Sequence, residues 1–134
     1  EIPLRLVGSE MCIRDSIGEI KCGSAEVSID VDPAKHFNHR DICHGGVMLA
    51  LADSVLGVTG ASVGAVVATL NFSMNFIKGV HEPTTLTVRS HIKHSGHSTM
   101  VIEAEMTDSK KNLIGTILTT MFVVDRFKEI PAKW

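Results

Sequence analysis

The chain has 134 residues, of which 44% are hydrophobic and 21% charged, with a net charge of −2. That length supports one domain with a real core, and a chain that is not basic lacks the positive face a nucleic-acid partner requires. No apolar run is long enough to span a membrane, no basic-then-apolar leader opens the sequence, and Cys12, Cys22 and Cys43 match neither metal spacing nor a disulfide scaffold, so a cytoplasmic protein with free thiols is expected.

Residues 1–16, EIPLRLVGSEMCIRDS, read unlike the rest. The stretch EMCIRDS is similar to the translation of a transposon end used to tag sequencing libraries. The segment is set aside as non-native, which leaves residues 17–134 as a single domain. A first strand is expected from near Ile17 through the alternating AEVSIDVD of residues 25–32. PAKHFNHRDICHGG, residues 33–46, breaks that alternation with proline, polar residues and a glycine pair, as a loop leading into a helix does.

Gly46 to about Ser62 reads as the helix, apolar on nearly every side except at Asp53, Ser54 and Thr59, and therefore enclosed. Strands follow. VVATLNFSMNFIK, residues 66–78, sets Ala68, Leu70, Phe72, Met74 and Phe76 on one row and Thr69, Asn71, Ser73 and Asn75 on the other. Alternation continues through residues 84–96, 98–108 and 112–125, the last two joined at SKKN. A helix followed by strands with short connections predicts an α+β domain of about five antiparallel strands wrapped around one central helix.

Two features of the helix carry chemistry. At its start, Gly45 and Gly46 expose backbone N–H groups at the positive end of the dipole, with no side chain to keep a ligand away. Such a place binds an anion, or an oxygen becoming one during acyl transfer. In its middle stands Asp53, a carboxylate whose enclosure without a partner costs roughly several kcal/mol of desolvation, so a use for it is expected. Gly46 and Asp53 share a face but lie roughly 10 Å apart along the axis. A reacting group needs both within about 3 Å. A second, antiparallel copy of the helix would bring its own Asp53 to the first copy's Gly45, which predicts a homodimer with composite sites.

The pattern N-x5-HGG-x6-D, here Asn38, His44, Gly45, Gly46 and Asp53, together with the flanking strands, resembles the PaaI-like branch of the hotdog-fold acyl-CoA thioesterases. The resemblance runs from about Ile17 to Asp125. It implies a hotdog fold, hydrolysis of an acyl-CoA to free acid and coenzyme A, no cofactor, and a dimer or dimer of dimers. It implies that Asp53 is general base or nucleophile and that the Gly45 N–H polarises the thioester carbonyl. His44 then holds the thioester or its turn, Asn38 orients the carbonyl or Asp53, and Thr69 positions the hydrolytic water.

Further expectations concern the substrate. Gly46, Lys78, Arg89, Lys93, His94 and His97 are candidates for binding it, the cationic ones as a rim for the phosphates of coenzyme A. Val47, Met48, Leu51 and Phe76 are expected to line an apolar acyl tunnel. His91, His94 and His97 make a poor metal set, because His91 and His94 point to opposite faces of a strand and Gly96 suggests a turn before His97. Cys43 and His44, as neighbours on a loop, make a poor nucleophile pair. Two other readings stay open: a hotdog dehydratase on acyl-carrier substrates with His36 as its histidine, and a non-catalytic acyl-CoA-binding domain.

Overall fold

The computed structural model describes residues 16–131, so the segment set aside above, and Cys12 with it, lies outside the described residues except for Ser16. Where one strand was expected there are two, β1 (Ser16–Lys21) and β2 (Ser24–Asp30). Cys22 and Gly23 form the turn between them, with Gly23 at φ 83°, a conformation that glycine adopts without steric cost. α1 (Pro33–His36) is a single turn that opens with proline, and the Asp32 carboxylate accepts the Ala34 N–H at 3.0 Å. α2 (Gly45–Ala61) is the long helix.

β3 (Ala65–Phe76), β4 (Thr85–Ser95), β5 (Thr99–Thr107) and β6 (Leu113–Arg126) complete one antiparallel sheet in the order β1-β2-β4-β5-β6-β3. Among the described residues the count is six strands, one more than the sequence suggested, because the Gly23 turn folds the first stretch back on itself. α2 lies across one face of the sheet, against β2, β3 and β4. Leu51, Val55, Leu56 and Val58 of the helix and Val27, Leu86, Val88 and Ile102 of the sheet are at most 1% exposed. Each such side chain contributes roughly 1.5–3 kcal/mol of burial. Two hydroxyls enter this core as a pair: Thr59 meets Ser90, and each also reaches a backbone carbonyl, of Val55 and Ala25 respectively.

One irregularity positions the site. In the β3–β6 ladder Thr69 is opposite Met121 and Asn71 is opposite Thr120, so Leu70 is an extra residue, a bulge. Strict alternation set Thr69 on the row of Asn71 and Ser73. The bulge reverses the phase and turns Thr69 to the core side, the row of Phe72 and Met74.

Candidate active site

α2 begins uncapped. His44 occupies the N-cap position without a side-chain bond to the helix, and its carbonyl takes the Val47 and Met48 N–H groups. The Gly45 and Gly46 N–H groups have no hydrogen-bond partner among the described residues. Neither glycine is demanded by the chain itself. Neither has a positive φ; a Cβ on Gly45 would meet only the Phe76 ring, at 3.5 Å, and one on Gly46 would meet nothing within 4 Å. Glycine in a helix costs roughly 0.5–1 kcal/mol relative to alanine. Nothing among the described residues of the protomer requires glycine at either position.

Asp53 corrects an expectation. It is exposed, as are Gly46, Leu49 and Gly57, which fall on the same stripe of α2. The helix is therefore enclosed on most of its circumference and open along one line, which follows the small side chains at positions 46 and 57. Among the described residues Asp53 accepts one hydrogen bond, from Thr69 Oγ1 to Oδ1 at 3.4 Å. The bulge at Leu70 is what makes this contact geometrically available.

Asn38 shapes the loop before the helix. Its side-chain oxygen accepts the Arg40 and Ile42 N–H groups at 2.8 and 3.2 Å, an Asx-type turn. Its amide N–H groups have no partner among the described residues, and no bond joins it to Asp53 within the chain. His44 is exposed at the end of that loop, its own N–H held by the His36 carbonyl at 2.8 Å. His36 spends its Nδ1 on the Asp32 N–H, also at 2.8 Å. Cys43 is buried, and burial pushes its thiol pKa up, which makes it a poor nucleophile.

The expected rim of cations does not form one face in the protomer. Arg89 is on the side of the sheet away from α2, bonded through Nε to Glu26 at 2.8 Å. Lys93 stands at a bulge in β4, His94 follows it, and His97 is in the β4–β5 turn. Lys78, just past β3, borders a separate cavity of about 180 Å³ with Thr84, Ser109 and Lys110. Met48 and Leu51 belong to the core, at 4% and 0% exposure, and line no open tunnel. Phe76, expected on the acyl path, is 50% exposed and stands over Gly45. Among the described residues no group of three or more His, Cys, Asp or Glu is arranged to hold a metal ion.

A sequence profile of the thioesterase superfamily matches residues 41–114, more than half of the chain and inclusive of His44, Gly45, Gly46, Asp53 and Thr69. The chain belongs to this superfamily. Among its relatives is the acyl-coenzyme A thioesterase PaaI of Escherichia coli K12, 26% identical over 92 residues, a match that takes in 69% of this chain and 65% of PaaI. Among solved structures, a Streptococcus mutans UA159 protein bound to acetyl CoA superposes with a TM-score of 0.83 at 26% identity, covering 87% of this chain and 94% of its own. A Streptococcus pneumoniae TIGR4 protein, named a hypothetical thioesterase and solved with coenzyme A, does so at 0.81 and 25%, covering 86% and 89%. That pneumococcal protein also exists in two mutant structures, with alanine replacing a threonine in one and, in the other, an aspartate 16 positions earlier. This is a thioesterase-superfamily hotdog fold, with its sheet wrapped on one long helix.

Proposed function

We propose that this thioesterase-superfamily chain is a cytoplasmic acyl-CoA thioesterase, its single domain spanning residues 17–134, that works as a homodimer with composite sites. The observation that carries the reading is the open stripe of α2, where an unpartnered glycine helix start and an exposed carboxylate share one line. Roughly 10 Å of helix separates them. A two-fold-related copy laid antiparallel on the stripe joins Asp53 of one protomer to Gly45 of the other, and two such dimers give a dimer of dimers.

In this site the thioester carbonyl oxygen accepts the Gly45 N–H, with the Asn38 amide and His44 at the adjoining loop. Charge developing on that oxygen is stabilised by the helix start. Asp53 takes a proton from water as the water oxygen bonds to the carbonyl carbon. The C–S bond then breaks, and coenzyme A leaves as a thiolate that takes up the proton. Alternatively Asp53 attacks the carbon itself, expels the thiolate and forms an anhydride that water cleaves. Thr69 serves either route by fixing one carboxylate oxygen, and the 16-residue separation of the altered pneumococcal pair, which equals that of Thr69 and Asp53, supports the assignment. Lys78 and the cations of β4 supply phosphate contacts only where a second copy brings them to the site.

The test is release of free coenzyme A from a panel of aryl- and fatty-acyl-CoAs. Asp53→Asn is expected to lose about a hundredfold or more in rate, the usual scale for a general base, with melting temperature and assembly unchanged. A folded wild type that hydrolyses no member of the panel overturns the proposal.

A further inference from the structure

Resting on the thioesterase reading above, we propose that Phe76 selects the acyl group: its ring is the wall against which the acyl chain packs beside the carbonyl, and its bulk limits that chain's size. Phe76 ends the core-facing row of β3, in register with Gly115, after Phe72 and Met74. Those two are partly buried against the core, whereas Phe76 is 50% exposed. The difference lies in what stands beneath it. Phe76 has the start of α2 below, and two of its ring atoms lie 3.5 and 3.6 Å from where a Gly45 Cβ would be.

An aromatic face therefore borders the N–H groups of Gly45 and Gly46. An oxygen held by such an N–H sits about 2.9 Å from the nitrogen, which puts the substituents of its carbon within reach of the ring. The ring offers no hydrogen bond. An apolar substituent fits this wall better than the amide-bearing arm of coenzyme A. Of the side chains expected to line the acyl path, Met48 and Leu51 are sealed in the core, so the open aromatic surface falls to Phe76.

The test compares kcat/KM over acetyl- to decanoyl-CoA for wild type, Phe76→Leu and Phe76→Ala, with the dissociation constant of free coenzyme A measured by calorimetry. Relative to acetyl-CoA, Phe76→Ala is expected to gain about tenfold or more on the bulkiest acyl groups, the scale on which pocket volume discriminates substrates. Phe76→Leu moves the same way by less, and free coenzyme A, which has no acyl group, binds all three alike. An unchanged acyl ranking overturns the inference, as does a matching loss of affinity for free coenzyme A, which assigns the ring to the pantetheine arm. If Phe76→Ala does not fold, Phe76→Leu and Phe76→Trp carry the comparison, Trp being expected to narrow the range. A folded wild type inactive on every thioester overturns the thioesterase reading and this inference with it, whereas an active wild type with an unmoved ranking overturns this inference alone.

Discussion

Thr69 Oγ1 donates to Asp53 Oδ1 at 3.4 Å, across the gap between β3 and α2. Both side chains are exposed in the protomer, so the bond contributes little to folding and acts on the orientation of the carboxylate. Thr69→Ala is expected to lower kcat about five- to tenfold, the scale of one ordinary hydrogen bond. Thr69→Ser, which keeps the hydroxyl, should stay within about twofold on the same reasoning. Thermal melting of both variants should match the wild type. Equal activity in all three proteins would remove Thr69 from the site.

The glycines at the start of α2 have room for a methyl group, since a Cβ at either position lies no nearer than 3.5 Å to any side chain. Gly46→Ala should therefore fold at least as stably, by up to roughly 0.5–1 kcal/mol. Gly45→Ala should fold as well, yet lose hydrolysis, because the methyl stands between the Phe76 ring and the N–H. Melting temperature and kcat/KM measured together check the opposed directions.

Composite sites have an arithmetic. If each site takes Asp53 from one protomer and Gly45 from the other, a mixed dimer of Asp53→Asn and Gly45→Val has one intact site and one doubly altered site. Random exchange makes half of the dimers mixed, so two inactive variants should regain about a quarter of wild-type activity, as expected for an isologous pair. No recovery after verified subunit exchange would argue that both groups act within one chain.

Cys43 is buried, and burial raises its thiol pKa, so little thiolate exists near neutral pH. In the native protein it should resist thiol reagents. The number of rapidly labelled thiols is expected to be the same for wild type and Cys43→Ala, and to differ by one after denaturation.

Asp108 tests the β5–β6 turn. Its carboxylate accepts the Asn112 side-chain N–H at 3.0 Å and the Asn112 and Lys110 backbone N–H groups, and the Asn112 side-chain bond leads in holding its pKa below the ordinary carboxylate value. A depressed folded-state pKa stabilises at pH above the unfolded carboxylate range, and the contribution is lost as pH falls through the folded value. Because the turn is solvated, the whole effect should be under about 1 kcal/mol. Denaturation curves of wild type and Asn112→Ala should differ slightly at neutral pH and converge in acid.

Periodicity served well where packing is regular. The alternation of residues 25–32 follows from burial on one side and the apolar run of α2 from burial on most sides, and both reappear in the structure. The motif residues were legible as types, because glycine at a helix start and a carboxylate among apolar neighbours are each costly alone. Three things were not. The Gly23 turn was hidden inside a plausible single strand, since a two-residue hairpin leaves little polar signal. The exposure of Asp53 escaped because a helix apolar on most sides reads as fully enclosed when an open stripe is made of glycine and leucine. The row assigned to Thr69 was reversed by Leu70, since a bulge changes no residue type.

That last feature makes one side of the site a matter of parity. Along β3, identity and side are set independently: the residue says hydroxyl, and the unpaired Leu70 says inward. A ladder in which Leu70 took a partner of its own would keep every functional side chain and still aim Thr69 at the far face. For proteins built on this strand, pairing is information that substitution-by-substitution comparison overlooks, and a slip of one position in the ladder weighs as much as the loss of the threonine itself.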